Sequence, residues 1–229
     1  MRDFLPFNDW VTALIRFDEK FNDDYLFEFV KNLERKIFID WIIGLGFTER
    51  LTQIFRIIKL IEDNDDPQSI INDPLFHEEI KLNKDKFKNS LDLENFYSKG
   101  SYKIAKYVLL RINIEEYENL NSKKSYSGNI TVEHILPRNP NEQWKNKFHE
   151  KARQEWTNKL GNLTLLNGAK NSSASNRPFK EKLDTYFKKK SDFEITNELE
   201  KISDWNKIEL ERRHNKLKSN AIAIWIKST

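Results

Sequence analysis

Apolar residues in the first half of the chain recur every three or four positions. Leu26, Phe29, Val30, Leu33 and Ile37 form one such stripe; Leu51, Ile54, Phe55, Ile58 and Ile61 form another. That period marks one face of an α-helix. The turn at 44–47 (GLGF) separates the two predicted helices, and the polar run 63–67 (DNDDP) ends the second. A weaker helical spacing covers about 76–87. Another predicted helix runs from about 102 to 117, with Ile104, Tyr107, Val108 and Arg111 on one side.

The texture changes after the polar, turn-rich stretch 119–128 (NLNSKKSYSG). Residues 129–135 (NITVEHI) are β-branched and strand-like, and Pro137 stops them. Helical character returns over 148–160, and 162–166 (NLTLL) reads as a second short strand. Residues 168–176 (GAKNSSASN) read as a turn opening into a helix near Asn171. Pro178 fits the first turn of a helix over 179–189. Ser203 reads as the N-cap of a long helix from 204 to about 226, with Leu210, Leu217, Ala221 and Ile224 on one stripe. The expected fold is mainly α with a small embedded antiparallel ββα element, the second half being α+β. The expected division is a helical scaffold or spacer over 1–120 and a chemistry-bearing domain over 128–229.

Composition narrows this picture. The chain has 229 residues, 38% hydrophobic and 13% aromatic, enough for a buried core, and 33% charged, enough for a solvated surface. Cysteine is absent, which excludes disulfides and thiolate metal sites. The most apolar stretch, 37–47, is short and interrupted by Asp40, so no membrane span or membrane partner is expected. The opening MRDFLPFNDW lacks an apolar run, so no signal peptide is read and the expected location is cytoplasmic. Charge is uneven. Residues 1–127 hold 19 Lys and Arg against 23 Asp and Glu, a net of −4; residues 128–229 hold 20 against 13, a net of +7. A basic half beside an acidic one suits a polyanion such as DNA, although a lysine-rich solvated surface has the same composition.

Three short pieces carry candidate chemistry: VEHILP (132–137), GNLTLL (161–166) and NGAKN (167–171). Hydrolysis of a phosphodiester needs a base for water and a cation for the phosphate and leaving-oxygen charge. His134 suits the base, because an imidazole titrates near neutrality. Glu133, its neighbour on a strand, points to the opposite face, so both reach one phosphate only if the strand bends at its end. Asn171 offers an amide oxygen, a hard ligand suited to Mg²⁺ or Mn²⁺, or else a helix N-cap. Asn162 can fix the tautomer of His134, or cap the turn after Gly161. Lys170, Arg177, Lys180 and Lys182 surround these pieces in sequence and are candidate phosphate contacts; a solvated face is the alternative. Asn167 and Asn176 read first as turn formers. His77, His149 and His214 lie on charged amphipathic stretches and are expected to face solvent, while most of the six tryptophans are expected in the core.

The order acid-His-Ile-x-Pro, Asn-x-x-Leu, then an Asn nine residues on, resembles the HNH, or ββα-metal, nucleases. The longer pattern EHILP, Trp144, LGNLTLL, Asn176, Phe179, Lys182, Tyr186, Trp205, Arg212 or Arg213, Leu217 and Trp225 resembles the C-terminal domain of GmrSD-type modification-dependent restriction proteins. The resemblance covers about 128–226. It implies a metal-dependent DNA endonuclease of a restriction or anti-phage system, with His134 as general base, Asn162 orienting it, and Glu133 and Asn171 as ligands of Mg²⁺ or Mn²⁺. It also implies an N-terminal ParB-like NTP-binding sensor domain in a longer protein; no phosphate loop is found in this sequence. Two features depart from the family pattern: the long insert between Pro137 and Gly161, and Glu133 where Asp is common. The competing expectations are a DNA-binding module with a degenerate site and a helical interaction domain.

Overall fold

The computed structural model describes Leu5 and residues 7–118, 129–167, 176–187 and 191–226. The chain divides into two compact units, the first ending at Ser90 and the second beginning at Leu91.

The first unit is built from helices α1 (Val11–Phe21), α2 (Leu26–Ile42), α3 (Phe47–Asp63), α4 (Pro67–Ile71), α5 (Pro74–Leu82) and α6 (Lys84–Leu91). Local sequence sets several of the boundaries. Gly44, at φ 95°, takes the left-handed turn after α2. Two Asp-Pro pairs start α4 and α5. Asp66 accepts from the backbone N–H of Gln68 and Ser69, Asp73 accepts from Leu75, and each following proline fills the first helical position. The apolar stripes meet inside, where Phe17 stacks on Phe29 at 4.0 Å and Phe76 meets Phe29 edge-on at 6.0 Å. The predicted weak helix over 76–87 is two helices, joined at Asn83.

The second unit contains a 3-10 turn (Phe96–Ser98), α7 (Lys103–Glu118), β1 (Ile130–His134), α8 (Glu142–Lys147), α9 (Glu150–Trp156), a 3-10 turn (Leu160–Asn162), β2 (Leu163–Asn167), α10 (Phe179–Phe187), α11 (Glu194–Asn197), a 3-10 turn (Glu198–Lys201) and α12 (Lys207–Trp225). The two strands pair antiparallel, with Val132 opposite Leu165, Glu133 opposite Thr164 and His134 opposite Leu163. Both run within one residue of the expected segments. A core of Ile135, Leu136, Trp144, Phe148, Trp156, Phe179, Leu199, Trp205 and Leu210 lies beside the hairpin, with Phe179 stacked on Trp205 at 5.7 Å.

Three sequence expectations shift here. Helix α7, read as part of the first half, belongs to the second unit. Ile104, Ala105, Tyr107, Val108, Leu109, Leu110 and Ile112 are all buried, so the helix is apolar around most of its circumference and cannot be a surface spacer. The long helix starts at Lys207 with Asn206, not Ser203, as its cap; Asn206 accepts from the Glu209 N–H at 3.1 Å. Trp205, fully buried just before it, fixes the chain in a non-helical entry. The helix expected to begin near Asn171 lies outside the described residues, and the described helix of that region begins at Phe179.

Candidate active site

His134 closes β1. Its Nε2 lies 3.1 Å from the Asn158 side-chain oxygen, so Nε2 carries the proton and donates it there. The lone pair is therefore on Nδ1, for which no described residue is a hydrogen-bond partner. The Tyr97 ring meets the imidazole in a T-shaped contact at 4.4 Å, and the backbone N–H of Tyr97 donates to the Asn158 carbonyl at 2.9 Å. Burial drives the His134 pKa down to about 4; the Asn158 hydrogen bond opposes that fall, and the positive charges of Arg138 and Lys182 add to it. The imidazole is neutral near physiological pH, the protonation state a general base requires.

Glu133 points elsewhere, as strand alternation requires. Its Oε1 accepts from the Lys182 ammonium at 2.7 Å. The same ammonium donates to the His134 backbone carbonyl, also at 2.7 Å. Lys182 was expected to reach DNA phosphate; instead it is fully buried. Its position on α10 turns it inward, and the strand carboxylate supplies the counter-charge that lets a lysine be buried at all. Desolvation lowers the Lys182 pKa and Glu133 pulls it back up. The pair links α10 to the end of β1.

Asn162 was expected to orient His134, and the geometry assigns it other partners. Its side-chain oxygen accepts from the Leu136 N–H at 2.8 Å and from the Trp205 indole N–H at 3.3 Å. Its amide nitrogen donates to the Leu136 carbonyl at 2.9 Å and the Thr157 carbonyl at 2.8 Å. Its carbonyl also receives the Ile135 N–H at 2.9 Å. Asn162 thus satisfies the backbone of the segment leaving β1, where Pro137 forbids further pairing. The imidazole partner is Asn158, four residues earlier.

Helix α12 braces this turn. Arg213 is buried and donates to the carbonyls of Gly161 at 2.8 Å, Leu163 at 2.7 Å and Ile195 at 3.2 Å. His214, expected to face solvent, is also buried. Its Nδ1 accepts from the Gly161 N–H at 3.2 Å, and its Nε2 faces Asp92 at 3.1 Å. Gly161 is required by this approach, since a Cβ there would lie 2.5 Å from the His214 Cβ. Burial holds the His214 pKa below its usual range, against the pull of Asp92.

The remaining candidates divide. Lys170 and Asn171 lie outside the described residues. Arg177 and Lys180 are exposed on or just before α10, and Arg177 pairs with Glu181 at 3.8 Å. Asn167 donates to Asp192 at 2.8 Å, and the Asn176 carbonyl receives the Asn141 amide at 3.2 Å. His149 is exposed at the start of α9, as expected, while His77 is half-buried against the Ile71 carbonyl at 2.9 Å. Five of the six tryptophans are buried, and Trp41 is half-buried. Sequence reading missed Tyr97, Asn158 and Arg138. Arg138 follows the motif directly and could have been found; Tyr97 and Asn158 reach the imidazole only through tertiary packing.

Among the described residues no group of three or more His, Cys, Asp or Glu could hold a metal ion. Of the two expected ligands, Glu133 is the one with the anionic oxygen donor that a hard cation favours, and Lys182 pairs with it. The neutral amide oxygen of Asn171 is the second donor of the expected pair.

A family model described as GmrSD restriction endonucleases, C-terminal domain, matches residues 82–219, more than half of the chain. The match begins upstream of α7, as does the second compact unit. No curated protein matches the chain. Among the described residues no helix is long and apolar enough to cross a membrane.

Proposed function

Because the chain belongs to the C-terminal-domain family of GmrSD restriction endonucleases, we propose that its second unit is an HNH-type, metal-dependent endonuclease that hydrolyses DNA at His134. The family makes the domain a nuclease with DNA as substrate; the mechanism and its residues are our reading. The observation that carries it is the state of His134: a neutral imidazole at the end of a strand, its Nε2 proton held by Asn158 and its Nδ1 lone pair left for a substrate proton.

In this mechanism Nδ1 takes a proton from water as the water oxygen bonds to phosphorus. The bond from phosphorus to the 3′ oxygen then breaks and that oxygen takes a proton from solvent water, leaving 5′-phosphate and 3′-hydroxyl ends. Asn158 holds the ring in the productive tautomer. Asn162 holds the bend after His134, and Lys182 holds Glu133 and the His134 carbonyl. A divalent cation, Mg²⁺ or Mn²⁺, would neutralise charge on the phosphate and the leaving oxygen, with Asn171 as one ligand; Glu133, turned from His134 and paired with Lys182, would join it only if that pair opened. Arg177, Lys180 and Lys170 would meet the DNA backbone. We assign the domain to the effector part of a modification-sensing restriction or anti-phage protein, its ParB-like NTP-binding sensor lying in a longer chain and its location being the cytoplasm.

The test is plasmid nicking by His134→Ala with and without Mg²⁺ or Mn²⁺, beside melting temperature and DNA affinity. Loss of a general base is expected to slow cleavage by about 10²- to 10⁴-fold while DNA affinity holds. A variant that melts early yet nicks at the parent rate per folded molecule ends the case for His134.

A further inference from the structure

The second unit carries a pair of tyrosines that the hydrolytic mechanism does not use. Tyr97 touches the imidazole of His134 at 4.4 Å. Tyr102 stacks on Tyr97, with ring centroids 6.2 Å apart and planes only 22° from parallel. Tyr97 is half-buried, whereas Tyr102 is 47% exposed, so the solvent-facing end of the stack is an open aromatic ring. The Arg138 guanidinium, exposed on the segment after β1, sits 5.9 Å from the Tyr97 ring centre. Lys99 and Lys103 flank Tyr102 in the chain, and Lys103 is exposed.

The backbone that presents Tyr102 is unusual. Gly100, Ser101 and Tyr102 have φ of 60°, 54° and 61°, three consecutive left-handed residues, two of which bear a Cβ. L-residues avoid this conformation, and such strain persists only where surrounding structure enforces it. Here the N–H groups of Ser101, Lys103 and Lys106 donate to the carbonyls of Ser98, Gly100 and Tyr102. The ring is held out from the surface by a pinned turn.

Exposed aromatic rings beside cations are the chemistry by which proteins hold single-stranded nucleic acid, because every base has a π-face and every linkage a negative charge. A paired base within a duplex has both faces covered by its neighbours and cannot stack on a side chain without leaving the helix. We propose that Tyr102, backed by Tyr97, is a stacking platform for one unpaired DNA base next to the phosphate attacked at His134, so that the site prefers single-stranded or locally opened DNA. The proposal rests on the nuclease reading for its neighbour, the scissile phosphate, but not for its own measurement.

The experiment uses the whole chain, metal-free, with a fluorescein-labelled 12-nucleotide DNA strand and the same strand paired to its complement. Tyr102→Ala is expected to weaken binding of the single strand about 5- to 150-fold, the range of base–aromatic stacking. Duplex affinity and melting temperature should stay unchanged, because the side chain is exposed. Tyr102→Phe should bind as the parent does. Equal losses on both DNAs, no loss on the single strand, or failure of Phe to restore binding would each overturn the platform. Plasmid nicking by the parent protein separates the two ideas. Nicking with Tyr102-independent strand binding removes the platform alone, and Tyr102-dependent binding without nicking removes the nuclease reading alone.

Discussion

Replacing Lys182 with methionine removes a fully buried ammonium and keeps most of the side chain's bulk. The ammonium lies 2.7 Å from both Glu133 Oε1 and the His134 carbonyl, so its loss leaves a strand carboxylate charged and unpartnered by lysine. Breaking one partner of a buried ion pair costs about 3–5 kcal/mol, because the orphaned charge stays desolvated. For a unit of this size about 1 kcal/mol corresponds to 2–4 °C, so the second unit should melt roughly 6–20 °C lower. Glu133→Gln in the same background removes the charge that Lys182 balanced, and the double variant should recover much of the loss. Calorimetry at pH 7 on the parent, both single variants and the double variant gives the coupling directly. A Lys182→Met protein that melts within about 2 °C of the parent, or a double variant no more stable than the lysine variant alone, would refute a coupled buried pair. A second readout is independent of stability. Lys182 is one of the charges holding the His134 pKa down, so the imidazole of Lys182→Met should titrate higher than that of the parent.

Three further outcomes are expected. By NMR, His134 should titrate near pH 4 rather than near 6.5. A base with a lowered pKa binds fewer protons folded than unfolded, so its contribution to stability is complete above about pH 6.5 and is lost as pH falls toward 4; a midpoint above 6 would contradict the burial argument. Gly161→Ala places a methyl group 2.5 Å from the His214 Cβ and 2.8 Å from its Cα. It should cost at least about 1–3 kcal/mol of overpacking, measured by chemical denaturation, and a neutral result would mean that α12 can retreat. Asn162→Ala strips the Leu136 N–H and carbonyl of their side-chain partners. At about 1–3 kcal/mol for each buried group left unpaired, it should fail by unfolding. A stable but inactive protein would restore the chemical role that its hydrogen bonds argue against.

The hairpin and the place of His134 at its end were legible because their signals are local. β-Branched alternation over 129–135, the stop at Pro137 and an acid-His pair at the strand end lie within nine residues. The roles of the supporting groups were not, because each depends on a partner far along the chain. Lysines are rarely buried without a counter-charge, and the one for Lys182 is 49 residues away. The imidazole chooses Asn158 over the motif asparagine, 24 residues downstream of it rather than 28, and only the packed turn between α9 and β2 decides that. Helix α7 was misplaced for a related reason: a stripe count notices the apolar face that repeats, and misses that the opposite face is also covered.

The brace on Gly161 also sets an order of events during synthesis. Arg213 and His214 reach the turn from 52 and 53 residues downstream. A growing chain that has already released both strands therefore has Asn162 but lacks the groups that brace the turn at Gly161. At roughly 5–20 residues per second, that interval lasts on the order of several seconds for each ribosome. A cell making an enzyme that cuts DNA thus receives the hairpin before its keystone, and the blade is set in its handle only after translation has run well past it.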